Sequence, residues 1–206
     1  MDRRIQKTRQ GLRDALQALL HDKPLDKIDI QEITDRANTA RVTFYRHYRT
    51  KEELLLDMIE QIYKVMEDQV SIISIEQIFD FRLSPPSLPL FEFLAKDRAF
   101  YKKLFTGTVS GLVQQRLRHY IVYQITTRFS QSPRHANLPL FLISNYVASA
   151  TIGNLMWWLA DDLPYTPEHI SQITHWISVM GVMNLVGRGD EIILPPDDVW
   201  RIPQLY

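Results

Sequence analysis

Apolar residues return every three or four positions along most of this 206-residue chain, and nowhere do they alternate with polar ones long enough to make a half-buried strand. Ile5, Leu12, Ala15, Leu16, Leu19 and Leu20 set the period near the N-terminus, and Leu55, Met58, Ile59, Ile62, Val65, Met66 and Ile73 repeat it. Side chains three and four apart share one helix face, so such a chain buries its apolar surface by packing helices on one another. The expected fold class is all-α.

Breakers and caps divide the helices. The first runs from about Arg3 to His21 and is stopped by Pro24. Asp29 with Glu32 three residues on is a capping box, in which each side chain satisfies an orphan backbone N–H of the other end. It opens a second helix with Ile30, Ile33 and Ala37 pointing inward. Asn38 is the turn residue, since asparagine tolerates a left-handed backbone, and a third helix follows from Ala40 or Arg41 to Tyr48. A second box, Thr50 to Glu53, opens a fourth helix predicted to reach the late seventies as a strut. The prolines of Ser84–Pro89 break the chain. Shorter helices follow over Leu90–Ala95 and Asp97–Phe105, and longer ones over Ser110–Ser130, Leu140–Ala160 and Thr166–Val186, with Pro133 and Pro139 between. This divides the chain into a helix-turn-helix head over 1–50, a helical body over 51–187 and a Pro-rich tail over 188–206.

The formal net charge of zero hides an asymmetry. Residues 1–51 hold 12 Lys/Arg against 7 Asp/Glu, and residues 52–206 hold 12 against 17. A basic head on an acidic body suits a nucleic-acid partner at one end. Cysteine is absent, which excludes disulfides, thiolate zinc sites and a cysteine nucleophile and accords with a reducing, cytoplasmic compartment. The first ten residues lack the apolar run of a signal peptide. Ala136 to Ala160 carries no charge for 25 residues, long enough to span a bilayer, but Asn137, Pro139, Ser144, Asn145, Ser149, Thr151 and Asn154 are too polar for hydrocarbon. That stretch is expected in a core and an oligomer interface, with no membrane partner.

On a helical wheel Phe44 and Tyr48 of the third helix share the anchoring face, Val42 and Arg46 lie opposite, and Thr43 and Tyr45 flank them. A guanidinium, a hydroxyl, a phenol and an apolar surface are groups suited to base edges, thymine methyls and phosphates. Lys51 stands in the first turn of the fourth helix, where the dipole disfavours a cation; it is either a tolerated surface lysine or a phosphate contact. Gln31, in the first turn of the second helix, is either a base or phosphate contact or a solvated helix former. The six histidines show no i,i+3 or i,i+4 pair, and no nucleotide-binding or hydrolase fingerprint occurs, so neither enzyme, metal nor cofactor is expected.

Ile33 through Leu54, as I-T-x-x-A-N-T-A-x-V-T-F-Y-R-H-Y-x-T-K-E-E-L, resembles the DNA-binding head of TetR-type (tetracycline-repressor-like) transcriptional regulators, and the resemblance is strong over residues 5–60. It implies a three-helix head joined by a long fourth helix to a ligand-binding and dimerising bundle, with the third helix entering a major groove. It further implies that Tyr45 and His47 contact bases, methyls or phosphates, that Arg41 and Val42 occupy variable base-reading positions, and that Thr43 and Lys51 face phosphates. Two residues depart from the pattern: Asn38 stands where glycine is common, and Ala40 where serine or threonine caps the third helix, leaving Thr39 as the substitute cap. The body, through Tyr146–Ala150, Trp157–Leu159 and Tyr165–Glu168, resembles a Gram-positive subgroup that includes relatives of dihydroxyacetone kinase gene activators.

The resemblance also implies that the last two long helices pair with those of a second copy, Ser149, Ala150, Gly153 and Ile177 lying at that interface. The body is rich in aromatics, and Phe100, Tyr101, Phe105, Tyr123 and Trp157 are the candidates to line an apolar ligand cavity, with Arg116, Arg118 and Arg128 as candidate counter-charges. The expectation is a homodimeric repressor that leaves a near-palindromic double-stranded DNA operator when a small molecule binds. A ligand-independent or activating regulator of the same type, and a helical protein-interaction module, are the alternatives.

Overall fold

The computed structural model describes residues 3–70, 75–130, 139–160, 165–185, 187 and 189–194. Among these, α1 (Arg3–Asp22), α2 (Ile30–Arg36), α3 (Arg41–His47), α4 (Lys51–Val70), α5 (Ile75–Ile78), α6 (Leu88–Ala95), α7 (Arg98–Thr106), α8 (Ser110–Ser130), α9 (Leu140–Ala160) and α10 (Pro167–Leu185) follow in order, and the fold is all-α. One isolated parallel bridge, Asp80 to Ile193, is the described extended pairing. No described helix is long and apolar enough to cross a membrane.

Two compact units emerge, Met1–Val65 with Lys102–Arg116, and Met66–Tyr101 with Leu117–Tyr206. The boundary expected after residue 50 is therefore not where the packing divides, because the N-terminal half of α4 belongs to the core of the first unit through Leu54, Leu55, Met58 and Ile59.

In the first unit α1 turns Leu12, Ala15, Leu16, Leu19 and Leu20 inward, as its period predicts, but Ile5 is exposed, because its turn lies beyond the reach of the packed face. α2 packs on α1 and on α3. Its capping box forms, the Asp29 N–H donating to Glu32 Oε2 at 2.8 Å. Asn38 makes the turn with a left-handed φ of 47°. The second box closes one residue off: the Glu53 N–H donates to Thr50 Oγ1 at 3.2 Å, while Glu53 Oε2 accepts from the Arg49 N–H at 2.6 Å and not from Thr50. α4 is described to Val70 and the short α5 from Ile75, and residues 71–74, which the helix expected to reach the late seventies would cross, lie outside the described residues. The side chains of Ile62, Val65 and Met66, and Ile73 itself, lie outside the described residues.

In the second unit α10 packs on α6 and α9. α6 begins at Leu88, two residues before the expected start, because Pro89 sits at the helix's first turn, where its missing N–H costs nothing. Trp158 anchors this core. Its indole N–H donates to the Tyr165 carbonyl at 2.9 Å, Phe91 meets it edge-on at 5.5 Å, and the Arg98 guanidinium stacks over the ring and donates to the Trp158 carbonyl. The first part of the expected tail is not free: Ile193 exchanges backbone hydrogen bonds with Phe79 and Phe81 at 3.1 and 2.9 Å. Residues 195–206, with Pro195, Pro196 and Trp200, and the break around Pro133 lie outside the described residues.

Candidate nucleic-acid interface

α3 sorts its side chains by depth. Phe44 is fully buried and the ring of Tyr48, the C-terminal cap, is buried beside it, their centroids 5.8 Å apart. Val42 is 61% exposed and Tyr45 48%, both large apolar bodies left in water, and Arg41 and Arg46 are exposed with them. Thr43 and His47 are half-buried at the edges of that face. Arg41 reaches one turn along to Tyr45, donating to its hydroxyl at 3.3 Å with the guanidinium 5.7 Å from the ring centre. The i,i+4 pairing holds two exposed side chains in one orientation. Ala40 is the N-cap and supplies no side-chain hydrogen bond, so Thr39 does not replace the lost cap. The Thr43 N–H is satisfied by the Ala40 carbonyl at 2.8 Å. Gln31 is exposed on α2 and donates to Asp35 at 2.7 Å, which stations it on the helix's own surface.

Tyr48 does more than anchor. Its hydroxyl donates to Asp57 Oδ2 at 2.5 Å and accepts from Arg9 Nε at 3.1 Å, while Arg9 and Arg13 each donate to an Asp57 oxygen at 2.6 Å. Burial pushes the Tyr48 phenol up to about 12. Burial also pushes Asp57 upward, but the bonds from Tyr48 and Arg13 and the charges of Arg13 and Arg9 outweigh it and leave the carboxyl below its ordinary 3.8. This network joins α1, the end of α3 and α4. Sequence reasoning missed it, although two signals were present: Arg9 and Arg13 stand at i,i+4 on α1, and Asp57 interrupts the apolar face of Leu54 and Met58.

Lys51 makes a tie that neither alternative read from sequence included. Its ammonium donates to the carbonyls of Ile28 at 2.8 Å and Asp26 at 3.2 Å. It ties the segment leading into α2, and the two carbonyl dipoles offset the unfavourable dipole of its own helix.

The chain matches two family models, one described as bacterial regulatory proteins of the tetR family over residues 12–58, the other as a transcriptional regulator C-terminal region over residues 83–178. The chain belongs to the TetR family of transcriptional regulators. The HTH-type transcriptional regulator YxbF of Bacillus subtilis (strain 168) is 27% identical over 183 residues, covering 84% of this chain, which spans only 44% of that relative's length. Two solved structures share the fold: a TetR transcriptional regulator from Streptococcus agalactiae 2603V, at TM-score 0.61 and 22% identity over 86% of this chain and 96% of that one, and the dihydroxyacetone kinase operon activator DhaS, at TM-score 0.56 and 16% identity over 86% and 97%.

The five ligand candidates read from sequence lie away from the lining of the cavity described in the second unit. Phe100, Tyr101 and Phe105 are buried core, Tyr123 is 60% exposed and Trp157 is exposed. None of the five lines the cavity of the second unit, a space of about 190 Å³ among α5, α6, α8, α9 and α10. The α7 rings pack against each other, Phe100 and Tyr101 meeting edge-on at 5.0 Å. Of the three arginines weighed as counter-charges, Arg128 alone lines the cavity; Arg118 donates to Ser149 Oγ at 2.6 Å and Arg116 lies 3.8 Å from Glu60. Among the expected interface residues Ser149, Gly153 and Ile177 are exposed and Ala150 is half-buried. They share the outer faces of α9 and α10 with Phe141, Leu142, Tyr146 and Trp157.

Proposed function

We propose that this TetR-family regulator binds double-stranded DNA through the exposed face of α3, as a homodimer on a near-palindromic operator, and that a small molecule in the cavity of the second unit releases it. The observation that carries the reading is the sorting of α3: an anchor of Phe44 and Tyr48 beneath, and Arg41, Val42, Tyr45 and Arg46 turned to solvent. An exposed apolar surface flanked by guanidinium groups accords with thymine methyls and base edges beside phosphates. Homodimer formation through the outer faces of α9 and α10 is supported by their exposed Tyr146, Trp157 and Ile177 and by Gly153 and Gly181, where nothing lies within 4 Å of an added Cβ. Such faces are larger and more apolar than scattered surface residues. The reading is of a cytoplasmic, non-enzymatic regulator. An effector acts only by differential affinity for the DNA-competent and incompetent states.

Fluorescence anisotropy with the promoter region of the protein's own gene tests this. Arg41→Ala or Tyr45→Ala is expected to change which operator sequence is preferred, with about 1–3 kcal/mol lost where a base contact goes. Unchanged preference in both variants moves the readout off α3. Native protein without salt-dependent, sequence-selective binding sinks the DNA reading. The Lys51 test needs two readouts. An ammonium has three donors, two of which go to Asp26 and Ile28. Lys51→Ala is expected to weaken all sequences alike and to lower the salt slope by about one unit through loss of a phosphate contact. If the melting temperature falls while the slope stays, Lys51 serves only as the tie to the Asp26 and Ile28 carbonyls.

A further inference from the structure

The cavity of the second unit is walled mostly by apolar side chains, among them Ile121 and Ile125 of α8, Ile143 and Val147 of α9 and Val179 of α10. Its polar groups differ in whether they are already held. Arg128 and Tyr120 each have an interaction of their own, so neither is a free group awaiting a ligand. The His175 Nε2 donates to the Ile78 carbonyl at 2.9 Å, and burial holds that imidazole down to about 4, so it is uncharged in neutral solution. Thr174 Oγ1 accepts from the Asn154 amide at 3.1 Å.

Ser178 is different. A serine inside a helix ordinarily donates to a carbonyl one turn back. Ser171, earlier on α10, does so to Glu168 at 2.9 Å. Ser178 lines the cavity, is 2% exposed, and its hydroxyl finds no hydrogen-bond partner among the described residues. A buried hydroxyl left in that state is rare, because it has given up water and gained nothing in return. An acceptor oxygen on a ligand would supply the missing bond.

Charge and size narrow the occupant. No Asp or Glu occurs among the described lining residues, so a cationic ligand would meet no counter-charge. Arg128 is their one arginine or lysine, and it is already engaged, so an anionic ligand would meet no free cation. An uncompensated charge among apolar walls is far more costly than a neutral polar atom with one partner. A dry cavity of roughly 150 Å³ takes benzene, so one somewhat larger takes about eight or nine non-hydrogen atoms.

We propose that the cavity binds an uncharged, mostly apolar molecule of about that size carrying one acceptor oxygen, which the Ser178 hydroxyl bonds while the apolar body lies against Ile121, Ile125, Ile143, Val147 and Val179. This rests on the reading of the second unit as the effector site and names the chemical class of effector.

Titration calorimetry of the full chain with acetophenone, isopropylbenzene and benzoate tests it. The three share one shape and differ in what they offer Ser178: a neutral acceptor, a methyl group, and a charged acceptor. Acetophenone is expected to bind, and benzoate at least about tenfold more weakly. Ser178→Ala is expected to weaken acetophenone about three- to tenfold, the worth of one neutral hydrogen bond, and to leave isopropylbenzene within about twofold or bind it more tightly. Without any probe Ser178→Ala should melt no lower than the native protein, since it loses no bond. Val179→Phe, which fills the cavity, should lose acetophenone and isopropylbenzene together. No acetophenone binding, benzoate as tight as acetophenone, a Ser178→Ala effect equal on both neutral probes, a clearly lowered melting temperature of Ser178→Ala, or acetophenone indifferent to Val179→Phe in folded protein overturns the proposal. Promoter binding measured on the same samples separates the failures: DNA bound without acetophenone binding overturns the ligand class alone, and native protein that fails to bind DNA overturns the regulator reading.

Discussion

Asp57→Ala is expected to lower the free energy of unfolding by about 3 kcal/mol, the lower end of the range for breaking a buried ion pair from one side. The carboxylate is 7% exposed and is surrounded by donors: Arg9 and Arg13 at 2.6 Å and the Tyr48 hydroxyl at 2.5 Å. Removing it strands two guanidinium groups and a buried phenol at once. Arg9 is the more exposed arginine and recovers water, which keeps the loss at the lower end; Arg13 is nearly buried and does not. A urea midpoint lowered with the slope unchanged would be the signature. A loss under about 1 kcal/mol would mean that the three donors rehydrate freely and that the network does not hold α1, α3 and α4 together.

The same carboxylate gives the stability a pH dependence of definite sign. Asp57 is held below its ordinary 3.8 in the native state, burial being outweighed by its donors. Below neutrality the unfolded chain therefore takes up this proton first, and stability falls as pH falls. The contribution is complete above the ordinary carboxylate value and is lost as pH drops through the lower native one. Asp57→Asn removes this site, so its stability curve is expected to be shallower than the native one on the acid side and parallel to it above about pH 5.

Much of the frame was legible because local chemistry wrote it. Pro139 and the uncharged run after it placed α9 at Leu140–Ala160, the Asp29–Glu32 pair placed the start of α2, and Asn38 took the left-handed turn. The exposed face of α3 was legible because a single wheel separates Val42 and Arg46 from Phe44 and Tyr48. What escaped were polar atoms that act across the chain. Tyr48 was recognised by its ring, but its hydroxyl meets a residue nine positions on and another 39 positions back. Lys51 sits 23 residues from the carbonyl it ties most closely. The cavity escaped for a related reason: α8 has polar and apolar stripes side by side, so no wheel says which of them faces inward, and only the packing of α5, α6, α9 and α10 against it selects Tyr120, Gln124 and Arg128 over Tyr123.

Phe44→Ala is expected to cost about 3–5 kcal/mol, the transfer of a full aromatic ring plus the cavity it leaves. The ring is wholly buried, meets Tyr45 edge-on at 5.6 Å and lies 5.8 Å from Tyr48, so it is the wedge that seats a helix of only seven residues. Such a helix has no stability of its own in water and persists only through this seating. Tyr45→Ala, one residue on, removes a half-exposed side chain and is expected to change stability by less than about 0.5 kcal/mol. Both variants should bind the native operator more weakly on the proposed reading, for different reasons, and an osmolyte distinguishes them. Trimethylamine oxide strengthens burial without supplying a base contact. It is expected to restore much of the operator affinity of Phe44→Ala, whose α3 is unseated but keeps every reader, and none of that of Tyr45→Ala, whose α3 is seated but lacks one. Anisotropy of both variants with and without the osmolyte, alongside urea midpoints, reads the outcome. Equal rescue of the two would mean that Tyr45 also acts by holding the helix, and that anchor and reader are not separable on this surface.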